Sequence, residues 1–120
     1  DQRIARPVAV DTTVHELGEI DRPPVYPGGE EALFGRLARP DTCALVTSKN
    51  TCITSTRVVL NFIVERDGSL SNAIAEEGAC APLAGYALCA VRTLGRFTPG
   101  SDQGRLVRVR MRVPVTYELR

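Results

Sequence analysis

The feature that most constrains this chain is a run of strict alternation over Arg105 to Leu119, R-L-V-R-V-R-M-R-V-P-V-T-Y-E-L. Every odd position from Val107 to Leu119 is apolar, while Arg108, Arg110, Arg112, Thr116 and Glu118 lie between them with Pro114. A period of two over that length specifies a long β-strand with one buried face and one wet face. Proline donates nothing to a ladder, so Pro114 places this strand at the edge of its sheet. A long edge is an unfinished hydrogen-bonding surface, which a protein either guards or uses to capture another chain.

With 120 residues, the chain suits one domain with one modest core. A net charge of +1 offers no global basic field for nucleic acid or an anionic membrane. Fourteen of the fifteen basic residues are Arg, the other being Lys49. No run approaches the roughly 20 apolar residues a bilayer span needs. No signal-peptide pattern is present, so any anchoring or targeting segment is expected to have been removed or to lie outside this sequence.

Four cysteines, Cys43, Cys52, Cys80 and Cys89, suggest disulfides and an oxidising compartment. Their spacing contains no C-x-x-C element, and the one histidine, His15, is far off, so no metal is expected. If Cys89 sits inside a helix beginning near Pro82, Cys80 lies too far along the axis to reach it, given the roughly 7 Å limit between bonded α-carbons. Links between the 43–52 and 80–89 segments are therefore favoured, with the local pair Cys43–Cys52 still open.

Along the chain, residues 1–24 read as an arm or linker, extended at Pro23-Pro24. Pro27-Gly28-Gly29 is a turn, and Glu30 and Glu31 suit the first turn of a helix whose stripe is Leu33, Phe34 and Leu37. Residues 40–56 read as a Thr- and Ser-rich loop. Arg57 to Arg66 is a strand with Val58, Leu60, Phe62 and Val64 on one face, and Val59 and Ile63 on the other mark it as central. Arg66-Asp67-Gly68-Ser69 is a hairpin turn, with Gly68 supplying positive φ. Leu70 to Glu76 returns as a weaker strand. Pro82 opens a helix with Leu83, Ala87, Leu88, Val91 and Leu94 on one face, which Gly95 ends. The elements predict an α+β fold. Its centre is a small three-stranded antiparallel sheet (hairpin, helix, long C-terminal edge strand) with helices packed on one face.

Four pieces of the chain, in order and spacing, resemble the TonB C-terminal domain. They are P-P-V-Y-P-G-G-E-E-A-L (23–33), F-I-V-E-R-D-G-S-L-S-N (62–72), A-L-C-A-V-R-T-L-G-R-F-T-P-G (87–100) and G-R-L-V-R-V-R-M-R-V-P-V-T-Y-E-L (104–119). The first is similar to the arm and helix of the variety common in Bacteroidetes energy transducers. The likeness spans nearly everything from Pro23 to Leu119, and 25–120 is expected to be the TonB-like domain. Phe97 stands where that family often has Trp or Tyr, and C-A-L-V-T-S-K-N-T-C replaces its usual Tyr-Pro approach to the first strand.

The resemblance implies a periplasmic domain coupling inner-membrane proton flow to outer-membrane receptors. Such domains bind the receptor's extended TonB box by adding it as a strand beside the last strand. The matching positions here are Leu106, Arg108, Arg110, Arg112, Pro114 and Thr116, with the arginine face orienting the peptide. The partners implied are TonB-dependent receptors, and inner-membrane proton-channel proteins through an N-terminal anchor. Whether strands swap into a homodimer is left open. The alternative is a stand-alone secreted, disulfide-stapled adaptor without energy transduction. No cofactor and no catalysis are expected. Glu30, Glu31, Glu76 and Glu77 sit at element ends where solvated carboxylates are routine, and no nucleophile–base pair is evident.

Overall fold

A computed structural model describes residues 12–40, 42–44 and 56–117. The elements run β1 (Val14–His15), a 3-10 turn at Leu17–Glu19, α1 (Gly29–Ala38), β2 (Arg57–Val64), β3 (Leu70–Ala75), α2 (Ala81–Arg92), β4 (Ser101–Asp102), β5 (Arg105–Leu106) and β6 (Arg108–Thr116). The result is a small α+β fold with a mixed sheet and two helices.

The main sheet has four strands in the order β1-β6-β2-β3, rather than the three strands expected. β2 pairs antiparallel with both β6 and β3, while β1 adds a short parallel pairing, Val14 with Arg108 and His15 with Val109. Two residues are too short for any periodicity to reveal, so this strand exists only because the extended arm meets an open edge. The arm continues across the corner, bridging Arg22 to Ser101 and Val25 to Thr98. Gly100 permits that crossing, because a Cβ there would lie 2.7 Å from a Val109 methyl and 3.2 Å from the Arg22 carbonyl.

The alternation in β2 determines where the core lies. Val58, Leu60, Phe62 and Val64 are essentially inaccessible and join Val113, Val115 and Tyr117 beneath Leu33 and Leu37 of α1 and Leu83, Ala87, Ala90 and Val91 of α2. Two tyrosine hydroxyls satisfy carbonyls near the helix ends, where no intrahelical donor remains. Tyr26 donates to the Leu94 carbonyl at 2.7 Å and Tyr117 to the Leu37 carbonyl at 3.1 Å. Burial, and then the neighbouring Tyr86, push the Tyr117 phenol up to about 12.

The β2–β3 hairpin turns as its sequence requires. Gly68 has φ +86°, its N–H donates to Glu65 at 2.9 Å, and the Asp67 carboxylate accepts from the Ser69 N–H at 2.9 Å. Gly68 also packs so closely on the Phe97 corner that an added Cβ would lie 2.0 Å from the Phe97 carbonyl oxygen. On the far side, Cys43 is disulfide-bonded to Cys89, tying the segment after α1 to α2. This is the cross-segment type of link that the helix geometry favoured. Cys80 is disulfide-bonded as well, and Cys52 lies outside the described residues.

Candidate functional site

The site grows from which way the backbone of β6 points. Glu76 donates its N–H to the Val59 carbonyl at 2.8 Å, so odd residues of β2 turn their polar groups towards β3 and even ones towards β6. The register pairs Leu60 with Val113, Phe62 with Met111 and Val58 with Val115. Odd residues of β6 therefore bond to β2, and the Tyr117 N–H, donated to Thr56 at 2.8 Å, continues the series. The even residues Arg110, Arg112, Pro114 and Thr116 turn their backbone groups outward. Pro114 is tolerated because its missing N–H would have pointed away from β2.

β1 covers only the start of this outer edge. Its parallel register brings the Arg110 N–H to the His15 carbonyl. Beyond that, the Arg110 carbonyl, both groups of Arg112, the Pro114 carbonyl and both groups of Thr116 lie past the end of β1, and among the described residues no strand pairs with them. Leu106, expected on the same strand, lies instead in β5, paired with Ser101 in a separate two-stranded sheet and 53% exposed. The long alternation is thus broken at Val107, whose N–H donates to the Gly100 carbonyl at 3.0 Å.

The arginine stripe lies on the sheet face opposite the helices, and each member meets a carboxylate. Arg108 pairs with Glu65 at 2.7 Å and donates to the Thr12 carbonyl at 2.8 Å, which makes it part of the arm's attachment. Arg112 pairs with Glu76 at 2.8 Å, and Arg110 with Glu16 at 3.2 Å. The Arg108 guanidinium, and then the Ser71 hydroxyl, hold the Glu65 carboxyl below its usual range. Arg112, and then Asn61, do the same for Glu76. Arg110 and Arg112 remain largely open to solvent, their side chains 46% and 58% exposed. Such pairs hold their partners weakly and exchange readily.

On the helix side of the same edge lies a groove of about 510 Å³ between β6 and α1. Met111 and Val113 form one wall, Leu33 and Phe34 of α1 the other, with Tyr26 and Phe97 among its lining. The arm closes one end with Leu17 and Val25. Five large apolar side chains are exposed among the described residues, and three of them, Leu17, Val25 and Phe34, line this one groove. Converging exposed apolar side chains mark a binding surface more strongly than scattered ones. Sequence reasoning missed all three. Phe34 read as core on its helical stripe, and Leu17 and Val25 sit in an arm without periodicity.

Among the described residues, no group of three or more His, Cys, Asp or Glu side chains is placed to hold a metal ion, and no helix is long and apolar enough to cross a membrane. The fold and site define a small α+β domain with a half-covered strand edge beside an apolar groove. No family model, curated protein or solved structure matches this chain.

Proposed function

We propose that this is a protein-recognition domain of the TonB type, which binds an extended receptor segment by adding it as a strand to the outer edge of β6. The observation that carries the reading is the edge past β1, from the Arg110 carbonyl to Thr116, lying directly beside an apolar groove. A strand edge supplies affinity through main-chain bonds, and an adjacent groove supplies specificity through alternate side chains. The resemblance of residues 23–33, 62–72, 87–100 and 104–119 to the TonB C-terminal domain supplies the kind of partner, an outer-membrane receptor's TonB box in the periplasm. The disulfide between Cys43 and Cys89 is compatible with that compartment.

The test is a titration of the oxidised domain with synthetic TonB-box peptides, followed by backbone amide shifts. Saturable shifts concentrated on Arg110 to Thr116 are expected. A folded, oxidised domain whose edge amides move with no such peptide would refute the reading.

A further inference from the structure

We propose that the captured strand is selected by a two-sided pattern, with apolar residues facing the groove between β6 and α1 and acidic residues facing Arg110 and Arg112. This rests on strand addition to β6 as the mode of binding, and it adds the chemistry of the partner. Successive side chains of a strand point to opposite faces. A strand laid along Arg110–Thr116 therefore sends alternate residues towards Met111, Val113 and the exposed Phe34 and Leu17. Glu30 lines the α1 side of that groove and disfavours a second carboxylate there, while Arg112 lines its β6 side. The remaining side chains emerge beside Arg110 and Arg112, whose present partners Glu16 and Glu76 are themselves partly solvated. Opposite charges directly across a strand pair are stabilising and like charges are not.

The same geometry argues against a second copy of this chain as the occupant. Two β6 edges meeting antiparallel about Arg112 would set Pro114 opposite Arg110. Proline has no N–H to give, and the Arg110 N–H is already directed at His15, so neither position donates. Arginine would also face arginine across the centre. A foreign strand brings its own N–H groups to the Arg110 and Pro114 carbonyls and carries neither handicap.

The experiment uses three end-capped heptapeptides on the whole oxidised chain, read by amide shifts and calorimetry: alternating Val/Glu, alternating Val/Lys and alternating Ser/Glu. Val/Glu is expected to bind along Arg110–Thr116. Val/Lys should bind about five- to tenfold more weakly at low salt, as two reversed cross-strand pairs imply, with the difference shrinking as salt is raised. Ser/Glu should lose affinity to a similar degree, and Phe34→Ala should weaken Val/Glu while leaving the circular dichroism and thermal midpoint in place. If Val/Lys or Ser/Glu binds the same amides as tightly as Val/Glu, the pattern is wrong although strand addition survives. If none of the peptides moves those amides and TonB-box peptides do not either, strand addition falls with it. Concentration-dependent shifts of the same amides without peptide would assign the edge to a second copy and overturn the proposal.

Discussion

The sheet has two outer edges, and they are treated differently. β3, on one side, is six residues long, and its register against β2 slips between Asn61 and Ile63. Asn72 adopts φ +51° there, in a bulge that twists the edge and interrupts its row of donors and acceptors. The groove between β3 and α2 measures about 430 Å³ and is lined by Ser69, Ser71, Arg92 and Arg96, among others. On the other side the outermost strand is the two-residue β1, past which β6 keeps an unbroken register with β2 over eight pairs, and its groove of about 510 Å³ gathers exposed Leu17, Val25 and Phe34. A bulge is the ordinary way to blunt an edge. Among the described strands of this sheet only β3 has one, while β6 is guarded at its first residues by a two-residue arm strand. The contrast directs the proposed capture to β6.

Four perturbations probe the two edges. The largest concerns what both edges share. Phe62 is 1% exposed beneath the sheet's centre, and Phe62→Ala is expected to cost about 3–5 kcal/mol. Denaturant unfolding with an unchanged slope would verify it, and both edges should lose amide protection together. Gly68→Ala comes next. It strains a residue at φ +86° by roughly 1–3 kcal/mol, and its clash with the Phe97 carbonyl should raise the loss further. Gly104→Ala, with positive φ but nothing within 4 Å of the added Cβ, is the control and should cost less.

The third perturbation separates the edges. Arg112→Pro removes an outward N–H from β6 and should weaken peptide binding about tenfold, as one hydrogen bond and one cross-strand pair imply. Ala75→Pro removes an outward N–H from β3 and should leave binding unchanged. Equal effects of the two would mean that the peptide does not distinguish the edges.

The smallest effects are those of pH. Glu65 and Glu76 have folded values lowered from 4.5, chiefly by Arg108 and Arg112. Their contribution is complete above the unfolded value and lost as the pH falls through the lowered ones. Stability should decline on acidification below about 4.5, and Glu65→Gln with Glu76→Gln should flatten that decline. Tyr117 has the opposite sign. Its value rises from 10.0 to about 12, so its contribution holds below pH 10 and is lost as the pH climbs towards 12. Tyr117→Phe should remove that alkaline loss.

Much of this architecture was legible in the alternation of β2 and β6, because a buried face and a wet face leave a period that a single sequence displays. Val58, Leu60, Phe62 and Val64 are buried as their spacing requires, whereas the edge position expected from Pro114 belongs to β1, and among the described residues β6 lacks an outer partner only past that short strand. The arm strand was not legible. Val14 and His15 gain their pairing from β6 alone, and nothing local in Thr12 to Glu16 specifies it. The groove was hidden for a related reason. Phe34 lies on the same helical stripe as Leu33, yet it is 38% exposed where Leu33 is 5%. Both line the cleft, and only the position of β6 beside α1 decides that Leu33 is covered while Phe34 stays open. Ion pairing was equally invisible, because Glu65, Glu76 and Glu16 come from just past the ends of three separate strands to meet one arginine stripe.

The most direct test of the central claim is residue-resolved amide hydrogen exchange of the oxidised chain, with and without the alternating Val/Glu heptapeptide. Arg112 and Thr116 should gain protection on binding, while the outward amide of Ala75 on β3 stays as it was. Protection gained at Ala75, or none at Arg112 under saturating peptide, would contradict the assignment of β6 as the capturing edge.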